Sequence, residues 1–368
     1  DYWAKDLPVN KGYYNFNKIT YDYYKDSNVL LEAFKVGEYD FRREYNAKRW
    51  QNNYEFSAVN EESVILKEMK NDKPSGMNGL VFNTRKKIFE NSKVREALSY
   101  AYDFEWINKT IYSGAYTRTH SYFDNSPLAS SGLPSKDELN LLNNWKKSLP
   151  KEIFSKTYTP PKTSGTGLPR KNLKKAKNML EKEGWFVEDG KLKKDGNEFT
   201  FEFLIVSPSL EKIGLAFQKN LKTLGINMKI RTVDSSQYQS RLLSYDFDMI
   251  NHTWRISLSP GNEQQFYWGS AVGKEDGSRN YPGIDSAVVD FLIEKLIGAS
   301  SRKDLTTVMH ALDRVLLWGH YVIPMHHSGI DRIAYWDFLE YPNKIPLYGI
   351  VIDTWWVNKE KAKQLKRL

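Results

Sequence analysis

Between residues 199 and 250 the apolar positions of the chain change period several times. Phe199, Phe201, Phe203 and Ile205 alternate with other side chains, the period-two signature of a strand, which Ser207-Pro208 ends. Leu210, Ile213, Phe217, Leu221 and Leu224 then recur three and four residues apart and predict a helix closed by Gly225. Ile226, Met228 and Ile230 alternate again, residues 236–244 read as a second helix, and residues 247–250 form a third apolar run. Strand–helix–strand–helix–strand with short connections predicts an α/β layer with a mainly parallel sheet. Ligands of such sheets bind beyond the carboxyl ends of the strands. Those ends are Ser207-Pro208, Asp234-Ser235-Ser236 and Asn251-His252-Thr253-Trp254.

The same reading extends outward. Phe16, Ile19, Tyr21 and Tyr23 give strand-like alternation late in residues 14–24, and Leu30, Leu31, Ala33 and Phe34 form a helical stripe stopped by Gly37. Residues 80–83 predict a short strand, and Asn91 or Ser92 caps a helix lined by Val94, Ala97, Leu98 and Ala101. Residues 126–167, with Pro127, Pro134, Pro150, Pro160 and Pro161, predict a long irregular excursion around one helix at 136–148. Helices are expected at 286–297 and 305–318, then a dense apolar segment at 320–324 leading into 330–336.

Composition narrows the class. The 368 residues contain no Cys, which removes disulfide frameworks, thiol nucleophiles and iron–sulfur ligation. Hydrophobic residues make up 40% and aromatic residues 14%, enough for a packed core. No stretch approaches the ~20 apolar residues of a membrane-spanning helix. The opening Asp1-Tyr2-Trp3-Ala4-Lys5-Asp6 has none of the regions of a secretory signal and no initiating Met, which fits a cytoplasmic protein, a processed one, or a sequence that begins inside a longer chain. Much of the basic excess behind the net charge of +9 is dispersed in helical faces such as Lys171-Asn172-Leu173-Lys174-Lys175-Ala176-Lys177, where Leu173, Ala176 and Leu180 keep helical spacing. A solvated helix face accounts for it better than nucleic-acid binding does.

Catalytic signatures are weak. Gly165-Thr166-Gly167 lacks the Gly-Lys-Ser/Thr of a phosphate loop. Ser209 and Lys212 fit Ser-x-x-Lys, but the companion motifs of acylating enzymes are missing, and a helix start explains both. His310, His320, His326 and His327 lie close in sequence, yet adjacent His326 and His327 point apart in an extended segment. Hydrogen-bonded histidines are expected there, with no metal and no cofactor. The tract from His252 to Gln265 is different. It gathers Trp254, Ser257, Ser259, Asn262 and Glu263 where the sheet topology places a ligand, joining a surface for apolar contact to groups that pair with polar backbone.

A resemblance rests on motifs in order along the whole chain. They are Asp1-Tyr2-Trp3, Ala33-Phe34-Lys35-Val36-Gly37-Glu38-Tyr39-Asp40, Val81-Phe82-Asn83-Thr84 and Lys93-Val94-Arg95-Glu96-Ala97-Leu98-Ser99-Tyr100-Ala101-Tyr102-Asp103. Leu224-Gly225-Ile226-Asn227, Tyr245-Asp246-Phe247-Asp248-Met249 and Tyr321-Val322-Ile323-Pro324 follow. Together they resemble the family-five extracellular solute-binding proteins, the peptide-binding components of bacterial ABC importers. Tyr116-Thr117-Arg118-Thr119, Ser121-Tyr122-Phe123 and Ser257-Leu258-Ser259-Pro260-Gly261-Asn262-Glu263-Gln264 are similar to the YejA-type branch, associated with oligopeptide, microcin C and cell-wall peptide uptake.

The resemblance implies an α/β, type II periplasmic-binding-protein fold of two lobes with mixed sheets, the first lobe incomplete here. Residues 1–78 would be a later segment of the first lobe, 79–322 the second lobe, and 323–368 the return, with a hinge near 77–82 and 322–327. It implies a periplasmic, monomeric, non-enzymatic receptor that holds an oligopeptide between its lobes and delivers it to a membrane permease. Many relatives carry an Asp shortly after the Trp of the third strand's end, pairing with the peptide amino terminus. At that position this sequence has Ser257, and Glu263 is the nearest candidate replacement. The expected ligand contacts are Trp254, Ser257, Ser259, Asn262 and Glu263, with Arg118, Tyr122, Gln237 and Tyr238 from neighbouring loops. Two other readings stand beside this one: a basic, aromatic-rich nucleic-acid-binding module, and a peptide hydrolase built on Ser209, Lys212 and the histidines.

Overall fold

The computed structural model describes residues 2–367. Asp1 and Leu368, which open and close the expected segments, lie outside the described residues. The chain forms two compact units, one of Asp1–Lys73 with Ser328–Leu368 and one of Pro74–His327.

The larger unit is organised by a five-stranded sheet of Val322–Pro324, Met77–Phe82, Met249–Trp254, Thr200–Ile205 and Asn227–Thr232, in that spatial order. Thr200–Ile205 runs parallel to both neighbours, whereas Met77–Phe82 is antiparallel to both of its own. The sheet is therefore mixed rather than mainly parallel. The local pattern revealed the three strands joined by helices, and Met77–Phe82 and Val322–Pro324 arrive from distant parts of the chain.

Alternate residues of each strand feed opposite cores. Leu80, Phe82, Phe201, Phe203 and Met249 pack with helices Ser92–Ser99, Arg170–Lys182 and Pro208–Lys222. Val81, Leu204, Ile250 and Trp254 pack on the other face with Ala287–Ile297 and Arg302–Trp318. Each such buried side chain contributes roughly 1.5–3 kcal/mol, so both faces must be covered for the sheet to persist. Gly225 closes the Pro208–Lys222 helix with φ +79°, a conformation that costs other residues.

Gly79 sits mid-strand between His252 and Pro324. A Cβ there would lie 2.5 Å from the Ile323 carbonyl oxygen and press on the Val322 side chain. That oxygen belongs to the strand ladder and cannot retreat alone. Gly79→Ala is expected to lower stability by about 2–4 kcal/mol; a urea midpoint unchanged from wild type would refute this.

The smaller unit has a three-stranded antiparallel sheet with Ile330–Trp336 between Phe41–Arg43 and Val64–Lys70. Ile333 and Tyr335 face a core around Trp355, and Ala334 faces Leu31 and Phe34 of the Ser27–Lys35 helix. Asp26 caps that helix through the Asn28 and Val29 amides. The strand-like alternation in residues 14–24 forms no strand. Tyr21 and Tyr23 are 70% and 95% exposed, and only Phe16 joins a core. Alternation makes a strand only where one face is buried and a ladder partner exists.

Candidate functional site

The strand Met249–Trp254 is paired unequally. On one side all six residues match Met77–Phe82, from Met249↔Phe82 to Trp254↔Met77. On the other, Thr200–Ile205 matches only Met249 and Ile250, because its chain turns away at Ser207 into the Pro208–Lys222 helix. Among the described residues no strand lies beside the second edge of Asn251–Trp254. An unpaired edge is a row of backbone donors and acceptors ready for another extended chain.

Side chains hold this segment in place. Tyr238, on the Ser235–Leu243 helix capped by Asp234, donates its hydroxyl to the Asn251 carbonyl at 3.1 Å. Burial raises that phenol well above the ordinary tyrosine range, so it stays a donor. Asn78 Oδ1 accepts from Asn251 Nδ2 at 3.1 Å and from Thr253 Oγ1 at 3.2 Å, while Asn78 Nδ2 donates to the His326 carbonyl. On the opposite face Trp254 is 1% exposed and donates its indole N–H to the Arg279 carbonyl at 3.1 Å. Its ring lies 4.8 Å from Trp268, which meets Tyr122 edge-on at 5.1 Å. His252 packs edge-on between Trp254 and Tyr281, and burial, with the Arg279 charge, lowers its pKa to about 4.

The residues expected to meet a ligand therefore occupy different layers. Trp254 and Tyr122 share one aromatic stack inside the unit. Ser257, Ser259 and Asn262 are exposed on the loop that follows the open edge, with Ser257 Oγ accepting from the Ser259 amide at 3.2 Å. Both Glu263 carboxylate oxygens accept from the Gly261 amide at 3.0 Å, and Oε1 also accepts from Gln264 Nε2. Gln237 is exposed in the first turn of its helix, its amide bonded to Asp234. Arg118 pairs in a two-residue ladder with His326, whose carbonyl accepts from Asn78. The arginine is buried beside the rings of Tyr102 and Phe104, with Nη1 donating to the Pro161 carbonyl at 3.5 Å. Burial lowers its pKa.

Sequence reasoning passed over Asn78 and Trp268. The one signal for Asn78 was a polar side chain inside an apolar strand, and its partners, Asn251 and Thr253, are separated from it by more than 170 positions. Ser209 lies in the first turn of the Pro208–Lys222 helix, 2.8 Å from Ser207 Oγ, and Lys212 is exposed. Among the described residues no group of three His, Asp or Glu could hold a metal ion, and no helix is long and apolar enough to cross a membrane.

In solved structures the same architecture occurs in an oligopeptide-binding protein, AppA, from Bacillus subtilis in complex with a nonapeptide. That likeness has a TM-score of 0.67 at 21% identity and covers 91% of this chain and 59% of the other. The fold is thus that of the type II periplasmic binding proteins. The chain belongs to the bacterial extracellular solute-binding proteins, family 5, which its residues 1–276 match. It is 41% identical over 369 aligned positions to YejA of Escherichia coli, covering 99% of this chain and 61% of that protein. It is 42% identical to a probable peptide-binding protein, also called YejA, of Agrobacterium fabrum, covering 98% of this chain and 59% of that one. The chain spans about three fifths of the length of these curated relatives.

Proposed function

We propose that this chain is the ligand-holding part of a peptide receptor for an ABC importer, and that an extended peptide binds by adding along the open edge of Asn251–Trp254. The unequal pairing of that strand carries the reading. Backbone pairing recognises peptides of varied sequence, because every residue offers the same donor and acceptor. Tyr238 and Asn78 keep the edge in register, and Trp254, anchored below, prevents it from twisting away. Ser257, Ser259 and Asn262 lie where the ends of the peptide emerge. Glu263, already fixed by Gly261, is the carboxylate available to a peptide ammonium. The family is extracellular, and the receptor works as a monomer in the periplasm, handing its peptide to a membrane permease without cleaving it.

The test is thermal melting with a library of short peptides and with the same peptides N-methylated at alternate backbone nitrogens. Binding peptides are expected to raise the melting temperature and to be recovered intact, and N-methylation in the paired register is expected to abolish the shift. Equal shifts with and without N-methylation would refute the edge, and no shift with any peptide would refute the receptor.

A further inference from the structure

Residues 162–180 hold six Lys and Arg (Lys162, Arg170, Lys171, Lys174, Lys175 and Lys177) and no Asp or Glu, against a net charge of +9 for all 368 residues. The fold gathers this charge onto one surface. Leu173, Ala176 and Leu180 of the Arg170–Lys182 helix are buried, and its five early cations are all exposed. At about 100° per residue those five span an arc of about 160° opposite the buried stripe. Among the described residues, Lys177 alone of the five has a carboxylate partner, Glu181 at 3.8 Å. Lys175 instead reaches the Tyr100 hydroxyl at 2.6 Å. The loop before the helix adds a surface cleft of about 740 Å³ lined by Lys162, Arg170 and Lys171 together with Leu168, Pro169 and Thr163, whose hydroxyl donates to Asp103 and Glu105.

We propose that this face docks on anionic phospholipid headgroups of a membrane surface, an interaction beyond the peptide-receptor reading and independent of it. The chemistry selects the partner. Single-stranded nucleic acid is bound through stacking on aromatic side chains as well as through charge; residues 162–180 contain no Phe, Tyr or Trp, and the ring beside them, Tyr100, already has Lys175 over its face at 4.3 Å. Protein interfaces rest on buried aromatic or apolar anchors, and the leucines here already face the unit's own core. A row of exposed cations, four of the five without a carboxylate partner among the described residues, complements a plane of phosphates, where each basic residue near the surface adds to binding. The attachment would be shallow, reversible and salt-sensitive, keeping a receptor close to a membrane without anchoring it.

The experiment is co-sedimentation of the 368-residue chain with vesicles of phosphatidylcholine alone or with about 30% phosphatidylglycerol. Binding to the anionic vesicles is expected to fall steeply as salt rises from about 20 to about 150 mM. The triple variant Lys171→Gln/Lys174→Gln/Lys177→Gln is expected to partition about a hundredfold less, at about fivefold per lysine. A control variant, Lys87→Gln/Lys109→Gln/Lys229→Gln, removes equal charge from scattered exposed sites and is expected to keep nearly full binding. Equal sedimentation with both vesicle types, equal loss in both triple variants, or tighter binding to single-stranded DNA than to the anionic vesicles would each overturn the proposal.

Discussion

Lowering the pH from 7 to about 4.5 is expected to cost the larger unit on the order of 5 kcal/mol of stability. The cause is three histidines that the fold keeps neutral. Burial lowers His252 and His326 to about 4, helped by the Arg279 charge and by His327 respectively. Burial and the nearby Arg95 and Lys93 lower His320 to about 3. An unfolded histidine titrates near 6.5, so below that pH the unfolded chain takes up protons that the folded chain refuses. Stability is present above about 6.5 and drains away as the pH falls towards the folded values, by about 2–3 kcal/mol per histidine at pH 4.5.

Asp313 acts in the opposite sense. Burial raises its pKa to about 6, only partly offset by hydrogen bonds from Ser130, Tyr122 and Ser121. Here the folded state gains a proton before the unfolded one does, which returns about 2 kcal/mol over the same interval. Three losses and one gain give the net figure. Urea unfolding at the two pH values reads it directly, and His320→Gln is expected to remove about a third of the total histidine loss. An unfolding free energy that is flat between pH 7 and 4.5 would contradict the account.

Replacing Arg314 by Met is expected to cost about 3–5 kcal/mol, the range for stranding a buried charge. Arg314 and Glu138 have side chains only 3% and 4% exposed, and Nε meets Oε2 at 2.6 Å. The remaining guanidinium nitrogens donate to the carbonyls of Ser131, Gly132 and Leu133. The preceding residue, Asp313, accepts from Ser121 Oγ, from the Tyr122 amide and from both the amide and the hydroxyl of Ser130. Two adjacent residues of the Arg302–Trp318 helix thus fasten the start of the irregular 126–167 excursion. Arg314→Met leaves the buried Glu138 carboxylate without its guanidinium and three carbonyls without their donors.

Glu138 also completes the cap of the Lys136–Leu142 helix by accepting from the Ser135 amide. Glu138→Gln keeps that acceptor and removes the charge. The double variant Arg314→Met/Glu138→Gln is therefore expected to recover roughly half of the single-variant loss. Denaturant titration of the four forms of this cycle measures it. A single Arg314→Met variant within about 1 kcal/mol of wild type would show that the pair is not buried as described.

Much of the fold was legible because the elements involved are locally self-consistent. The alternation of Phe199, Phe201, Phe203 and Ile205 belongs to a strand whose two faces are both covered, and the stripe from Ile213 to Leu224 to a helix with one buried face. The irregularity of residues 126–167 was equally plain from their prolines. The site was less legible. The tract after His252 contains the exposed Ser257, Ser259 and Asn262, yet nothing local distinguished Trp254, packed inward against Trp268, from an indole offered to a ligand. Arg118 read as a loop residue near a strand end and lies buried beside two rings.

The sequence by itself determined which segments are helices and strands in the α/β layer, where most of them stop, and the family to which the order of motifs belongs. Those properties depend on side-chain period and on residues such as Gly225, whose backbone freedom acts within a few positions. Tertiary structure alone decided which strands became neighbours, and hence the open edge at Asn251–Trp254. That edge exists because Met77–Phe82 runs the full length of the strand and Thr200–Ile205 does not. Pairing length is a relation between segments far apart in the chain. Burial is such a relation too, and it separates Trp254 and Tyr122 in the core from Ser257, Ser259 and Asn262 at the surface.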